Sequence, residues 1–117
     1  MPASKSVINL TQIAARAVAE KLGTDMIALD LSDQMVLSEV FLIATGGNVR
    51  QVDSIADFVE EKLREIGEKP ARVEGTGQWI LLDYSDLVVH IQSKELRSYY
   101  MLDRLWNDCP KIELDLK

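Results

Sequence analysis

The sequence has too few cysteine and histidine residues for two common kinds of site. Among its 117 residues there is one cysteine, Cys109, and one histidine, His90. A single cysteine excludes an internal disulfide framework, and one residue of each type leaves too few ligands for a structural zinc site. Cys109 has no redox motif around it, so we expect an inert thiol at the surface or at the rim of the core.

Long hydrophobic runs and a positive net charge are also absent. No apolar run reaches the roughly 18 residues of a membrane span, and no secretory signal opens the chain, so we expect a soluble cytoplasmic protein. The net charge of −6 comes from 19 acidic and 13 basic residues. Because phosphate contacts dominate nucleic-acid affinity, we expect little direct binding to DNA or RNA. The acidic balance either attracts a basic protein partner or only maintains solubility.

The hydrophobic pattern predicts one α/β domain covering residues 1–117, with 1–8 and 109–117 less ordered. The elements follow the order α-β-β-α-β-β-β-α, which is typical of a mixed sheet of about five strands with helices packed on it. The run 40–45 is almost continuously apolar and is therefore predicted to be a central strand.

Three residues are predicted to cap helices. Asn9 begins the first helix, Asn48 the second and Ser93 the last. The last helix carries apolar and aromatic residues at helical spacing, which places Tyr99 and Trp106 in the core: Leu96, Tyr99, Leu102, Leu105 and Trp106.

Residues 79–92 have the pattern of a β-hairpin, since two apolar and β-branched runs flank the polar residues 83–86. The turn lacks an Asn-Gly pair, so we expect a four-residue loop rather than a tight turn. The expected register sets Leu82 opposite Leu87 and Trp79 opposite His90. Because side chains alternate between faces, one face is purely apolar: Ile80, Leu82, Leu87, Val89 and Ile91.

The other hairpin face is a candidate binding surface because it mixes apolar, aromatic and polar residues: Trp79, Leu81, Val88, His90 and Gln92. Trp79 either covers the core or anchors a partner; tryptophan is over-represented among residues whose truncation costs about 2 kcal/mol or more of binding energy. His90 has no recognisable nucleophile to serve as a general base. We therefore expect it to pack beside Trp79.

Two candidate sites for small ligands have simpler structural interpretations. The Gly46-Gly47 turn before the second helix can hold an anion, but it lacks the further residues of a nucleotide-binding fingerprint. Asp30, Asp83 and Asp86 can be assembled into a magnesium site, but Asp83 and Asp86 flank a turn, where aspartate caps its own backbone. We favour the turn interpretation in both cases.

Several short motifs occur together in this chain: Phe41-Leu-Ile-Ala-Thr-Gly46, Arg50-Gln51, Ser54-Ile-Ala-Asp57, Glu74-Gly75, Trp79-Ile-Leu-Leu-Asp83, Asp86-Leu-Val-Val-His90 and Arg97-x-x-Tyr100 with Leu105-Trp106. In their order and spacing they resemble the ribosomal silencing factor family, also called Iojap-like. The similarity covers residues 9–108. The chain departs from the family at Ser85, where glycine is frequent, and in its less serine-rich segment 47–49.

The resemblance implies a fold similar to nucleotidyl transferases without the catalytic set, and therefore no enzymatic activity and no cofactor. It implies binding to ribosomal protein uL-fourteen on the large ribosomal subunit, which blocks joining of the small subunit and represses translation when nutrients are limiting. Some members form homodimers when free. Carried over to this chain, the partner-binding residues are Trp79, His90, Leu81, Glu74, Asp83 and Asp86. A small nucleotide-binding or nucleotidyltransferase-like enzyme and a homodimeric interaction module are the alternatives.

Overall fold

A six-stranded mixed sheet organises the chain. The computed structural model describes residues 3–33, 38–101, 104, 108–114 and 116. In chain order the elements are α1 (Lys5–Glu20), β1 (Thr24–Asp30), β2 (Val40–Gly46), α2 (Val49–Glu65), β3 (Arg72–Glu74), β4 (Trp79–Asp83), β5 (Leu87–Ser93), α3 (Lys94–Tyr100) and β6 (Lys111–Ile112).

The strands lie side by side in the order β3-β4-β5-β2-β1-β6. β2 and β5 are parallel, and the other neighbouring pairs are antiparallel. Every residue of β2 and β5 is buried, which confirms the central position predicted for the run 40–45. The sequence pattern did not predict β6, because two residues beside a proline carry no detectable periodicity.

Helices α1 and α2 pack on one face of the sheet and enclose the main core. The apolar stripe of α2 is buried through Val52, Ile55, Val59 and Leu63. From the sheet, this core receives the purely apolar hairpin face, as predicted: Ile80, Leu82, Leu87, Val89 and Ile91. A second apolar cluster lies on the opposite face and contains Leu29, Leu31, Phe41, Ile43, Val88 and Cys109.

The predicted cap of α2 is confirmed, but that of α1 is wrong. Asn48 Oδ1 accepts a hydrogen bond from Gln51 N at 2.8 Å. The first helix instead begins after Ser4, whose side chain accepts from Val7 N. The helix therefore starts well before Asn9, which is an exposed residue inside it. Ser4 provides the same oxygen acceptor that Asn9 offers, so composition alone did not separate the two positions.

The hairpin forms with a register different from the expected one. Leu82 lies opposite Val89 and Trp79 opposite Gln92, a shift of two residues. The cause is a tight turn, closed by a hydrogen bond from Tyr84 N to Leu87 O at 2.8 Å. Ser85 makes this turn possible by adopting φ 72°. Because the shift is an even number of residues, every side chain keeps its predicted face.

The C-terminal part corrects two expectations. Tyr99 is 79% exposed and is not a core residue, and Cys109 is only 4% exposed and is not a rim thiol. Leu102, Leu105 and Trp106 lie outside the described residues. Lys111–Ile112 form β6, which pairs with β1. Among the described helices, none combines the length and apolarity needed to cross a bilayer.

Candidate functional site

The second face of the hairpin joins most of the predicted binding residues into one surface. The sheet register aligns Glu74, Leu81 and His90 across β3, β4 and β5. The next row on the same face contains Arg72, Asp83 and Val88. We call this surface the hairpin face and define it by Glu74, Trp79, Leu81, Asp83, Val88, His90 and Gln92.

Trp79 and His90 form a hydrogen-bonded aromatic pair at the centre of the hairpin face. The indole Nε1 of Trp79 donates to Nδ1 of His90 at 3.3 Å, and the two ring centroids are 6.0 Å apart. Phe41 lies on the other side, with its ring centroid 4.7 Å from that of His90. Since an indole nitrogen can only donate, Nδ1 carries no proton in this contact. The predicted pairing of these side chains is confirmed, although they meet diagonally rather than directly across the strands.

His90 lies beneath the surface and is not an exposed contact residue. It is 5% exposed, and burial lowers its pKa to about 4. The imidazole is therefore neutral at pH 7. Among the described residues Nε2 has no hydrogen-bond partner. This arrangement does not suit a general base, which must exchange protons with substrate or solvent, but it does fix the orientation of the Trp79 indole.

Gln92 is a buried member of the hairpin face that was not among the predicted site residues. It lies opposite Trp79 and beside Thr45, is fully buried, and neither amide atom has a hydrogen-bond partner within the described part of the chain. Thr45 in turn accepts a hydrogen bond from Arg97 Nη1 at 2.8 Å. A polar residue on a half-apolar strand face was the sequence signal that could have identified Gln92.

The outer part of the hairpin face is accessible and acidic. Trp79, Leu81 and Asp83 are half-buried, and Glu74 is exposed at the sheet edge. Arg72 lies between the two acids, 3.6 Å from Glu74 and 3.3 Å from Asp83. Such exposed ion pairs contribute about 0–1 kcal/mol, so both carboxylates remain available to a stronger cationic partner.

Asp86 is the one predicted site residue that lies apart from the others. It belongs to the tight turn, where its carbonyl oxygen accepts from Glu39 N at 2.8 Å and from Val40 N at 3.0 Å. Its side chain borders a hollow next to α1, on the helix side of the sheet. The turn therefore separates Asp86 from the hairpin face.

The candidate metal site does not assemble in the described part of the chain, where no group of three potential ligands comes together. Asp30 instead accepts hydrogen bonds from Ala3 N at 2.9 Å and from Ser32 Oγ at 2.6 Å. Burial acts to raise the pKa of Asp30, but the hydrogen bonds from Ser32 and Ala3 outweigh it and the pKa is lowered. Asp30 therefore holds the N-terminal segment against the end of β1 through its hydrogen bond with Ala3.

The Gly46-Gly47 turn also has a structural role. Gly47 N donates to Gln51 Oε1 at 2.6 Å. The backbone N–H that could bind an anion is therefore already bonded to a side chain. A Cβ atom on Gly46 would come within 2.9 Å of Val52 Cγ2. The close approach of β2 to α2 therefore requires the glycine.

Comparison with known proteins matches residues 4–117 to one family. Residues 4–117 match the sequence model described as "Ribosomal silencing factor during starvation". A ribosomal silencing factor of Bacillus subtilis is 37% identical over 109 residues, covering 92% of this chain and 92% of the relative. That of Halalkalibacterium halodurans is 37% identical over 108 residues, covering 91% and 92%. The chloroplast Iojap protein of Zea mays is 32% identical over 86% of this chain and 44% of its own length.

Solved structures agree with the sequence matches. A crystal structure from Chromobacterium violaceum superposes with a TM-score of 0.82 at 33% identity and covers 93% of this chain and 92% of that one. A crystal structure from Bacillus halodurans gives a TM-score of 0.79 at 33% identity, with coverage of 95% and 100%. The fold observed here is therefore the fold of these proteins.

Proposed function

This chain belongs to the ribosomal silencing factor family, and from that membership we propose that it binds the large ribosomal subunit through ribosomal protein uL-fourteen. Bound there, it occupies space that the small subunit needs for joining, and so represses translation when nutrients are limiting. The site of action is the cytoplasm, where the subunits meet. The observation that carries the proposal is the family match over residues 4–117.

The hairpin face supports the proposal as a docking surface. Trp79 offers a large, half-buried aromatic surface whose polar edge is already bonded to His90. A preoriented side chain loses little conformational entropy when a partner binds. Beside it, Leu81 adds apolar area, and together they resemble the anchor residues that dominate binding energy in protein interfaces.

Charge supports a basic protein as the partner. Glu74 and Asp83 lie at the accessible part of the hairpin face, and the whole chain carries a net charge of −6. Opposite charges on two surfaces raise the rate of encounter and fix orientation. In this proposal Glu74 and Asp83 exchange Arg72 for cationic groups of uL-fourteen, whereas Asp86 contributes no contact on this face.

His90 contributes indirectly in this proposal. Because it is buried beneath Trp79, it acts as a positioning residue that holds the indole in one orientation. The mechanism is steric and needs no chemical step, so the protein acts without catalysis and without a cofactor. Its effect then depends only on the fraction of large subunits that it occupies.

The free protein can also pair with a second copy through the same surface. The edge strand β3 borders the accessible part of the hairpin face, and its residue Glu74 is exposed on that face. We propose that such a homodimer competes with ribosome binding. Light scattering of the free protein, with and without added uL-fourteen, tests this: dimers should dissociate as uL-fourteen is added, and dimers that persist in a ternary complex would contradict it.

Sedimentation with separated ribosomal subunits tests the main proposal. The wild-type protein should travel with the large subunit and lower the fraction of joined ribosomes. Trp79→Ala should weaken docking by about 2 kcal/mol, since it removes the aromatic anchor. Phe58→Ala is the matched control, because Phe58 is also a half-buried aromatic residue but lies on α2 between Lys21 and Lys62.

Three results would contradict the proposal. The wild-type protein would remain at the top of the gradient at both low and moderate salt, or Trp79→Ala would bind like the wild type, or Phe58→Ala would lose binding to the same extent. Circular dichroism of each variant shows whether it is folded, which separates loss of the binding surface from loss of the fold.

A further inference from the structure

The loop between β3 and β4 passes directly over the backbone of Trp79 at Gly75. Gly75 has φ 84°, which lies in the left-handed region that residues with a Cβ atom rarely adopt. A Cβ atom at this position would overlap the carbonyl oxygen of Trp79 and would lie 3.2 Å from its carbonyl carbon. Only a residue without a side chain therefore allows the chain to pass from β3 to β4 at this distance.

Gly77, in the same loop, shares the backbone conformation of Gly75 but not its close approach. Its φ is 71°, and a Cβ atom there would meet no atom of the described residues within 4 Å. Both glycines thus avoid the same kind of backbone strain. Only Gly75 also brings its backbone against that of Trp79, so Gly77 is a matched reference for it.

Gly75 lies between two residues of the hairpin face that differ in chemistry. Glu74 comes immediately before it and is an exposed acid, whereas Trp79 begins β4 and is a half-buried aromatic anchor. Glu74 is aligned with Leu81 in the sheet, and Leu81 has the same face as Trp79 because the two are separated by one residue. The close approach at Gly75 therefore sets the distance between the carboxylate and the indole.

Of the two strands that meet at this loop, β4 is the more firmly held. It lies between β3 and β5, and the residue before Trp79 is joined to β5 by a hydrogen bond from Ser93 N to Gln78 O at 2.8 Å. β3 is a strand of three exposed residues at the edge of the sheet. A side chain at position 75 would therefore displace β3, and Glu74 with it, relative to Trp79.

We propose that Gly75 is a positioning residue for partner recognition, because it holds the Glu74 carboxylate at a fixed distance from the Trp79 indole. A partner that places an apolar group against Trp79 then meets the carboxylate at a defined separation. Groups that are in place before association lose less entropy on binding, and charges at fixed positions set the orientation of the partner. The inference rests on the proposed docking role of the hairpin face and names the residue that sets its geometry.

Amide hydrogen exchange of the isolated protein tests the placement of β3 without any ribosome. Gly75→Ala should speed the exchange of the amides that join β3 to β4 by about tenfold relative to Gly77→Ala, because only the first change forces the two strands apart. One of these amides is that of Ala71, which donates to Asp83 O at 2.7 Å. Thermal unfolding of both variants shows whether the rest of the fold is intact.

Titration of large ribosomal subunits measures the consequence for binding, at equal concentrations of folded protein. Gly75→Ala should weaken binding by about fivefold, since a displaced carboxylate loses one exposed charge pair with the partner. Gly77→Ala introduces the same backbone strain without moving Glu74. It should therefore stay within about twofold of the wild type.

A double-mutant cycle with Glu74→Gln shows whether Gly75 acts through the carboxylate. Glu74→Gln alone should weaken binding by about fivefold. Adding Gly75→Ala to Glu74→Gln should cause little further loss, because there is no longer a charge to place. A purely structural role of Gly75 would instead lower binding by the same factor with and without the carboxylate.

Three results would overturn the proposal. These are equal amide exchange in Gly75→Ala and Gly77→Ala, equal ribosome binding by these two variants, and independent losses from Gly75→Ala and Glu74→Gln in the cycle. A wild-type protein that does not bind the large subunit would contradict the proposed function instead. The exchange comparison would then decide by itself whether Gly75 places Glu74.

Discussion

The indole Nε1 of Trp79 donates to Nδ1 of His90 at 3.3 Å, although the two residues are not directly opposite each other in the hairpin. His90 lies opposite Leu81, and Trp79 opposite Gln92. The indole therefore reaches diagonally across the strands. This contact connects the one accessible aromatic anchor of the hairpin face to a buried neutral imidazole, and the first two predictions follow from it.

His90→Phe should weaken ribosome binding while Trp79 itself is unchanged. Phenylalanine keeps a ring of similar shape but removes the acceptor, so the indole loses its fixed orientation. We expect a loss of about 1 kcal/mol in binding, the typical contribution of one hydrogen bond. An upfield shift of the Trp79 indole N–H signal in ¹H–¹⁵N spectra would report the lost bond. An unchanged indole signal together with unchanged binding would show that His90 does not position Trp79.

Acidification should destabilise the fold through His90. The unfolded chain binds a proton near pH 6.5, but burial lowers the pKa of His90 in the folded protein to about 4. Between these values the unfolded state binds more protons, so stability is full above about pH 6.5 and falls as the pH decreases towards 4. At 1.36 kcal/mol for each pH unit, the loss is about 3 kcal/mol. Urea unfolding measured from pH 7.5 to 4 checks this, with His90→Phe as the control that should lose most of this slope; equal slopes would contradict the assignment.

Ser85→Gly should stabilise the protein. Ser85 has φ 72°, and this left-handed conformation is unfavourable by about 1–2 kcal/mol for a residue with a Cβ atom. Glycine removes that strain but is more disordered in the unfolded chain, by about 0.5–1 kcal/mol. The net gain should be about 0.5–1 kcal/mol in the free energy of unfolding, measured by chemical denaturation. Ser85→Ala keeps the strain and should give no such gain; equal stabilisation by both changes would show that backbone strain is not the cause.

Gln51→Ala should loosen the junction of α1 and α2. The Gln51 amide donates to Lys21 O and Leu22 O, both at 3.1 Å, and its oxygen accepts from Gly47 N at 2.6 Å. The Gln51 side chain thus forms hydrogen bonds both with the end of α1 and with the residue before the cap of α2. Because solvent can replace part of these bonds, we expect a loss of about 1 kcal/mol in stability.

Amide hydrogen exchange would locate that loss at Gly47 and in the last turn of α1. Glu61→Ala, an exposed change on the same helix, should leave these amides unaffected. If both variants exchange alike, Gln51 does not join the two helices.

Hydrophobic periodicity was sufficient to predict which side chains are buried where burial depends on residues close by in the sequence. The stripe of α2, the central position of β2 and the two faces of the hairpin were all predicted correctly. Each follows from alternation or helical spacing over a few residues. The hairpin faces were correct even though the register was not, because an even shift leaves the alternation intact.

The failures concern contacts between residues distant in sequence or choices between similar local signals. Tyr99 has the spacing of a core residue but lies exposed, since spacing does not tell how far a sheet extends beneath a helix. Cys109 is buried in the second cluster, which depends on the segment that follows it pairing with β1. Asp86 was expected near the other partner-binding residues, but it lies in the tight turn and borders the hollow beside α1; its contact with a partner stays a prediction.

The sequence by itself determined the α/β class, the order of the predicted elements, the resemblance to the silencing factor family and the presence of Trp79 and His90 on one face of the hairpin. Only the tertiary structure decided that His90 is buried and neutral, that Trp79 bonds to it diagonally, and that Gln92 and the Tyr84 hydroxyl are buried without described partners. The physical reason is that side-chain periodicity is a local property of the chain. Burial and hydrogen bonding instead depend on which distant elements the sheet brings together.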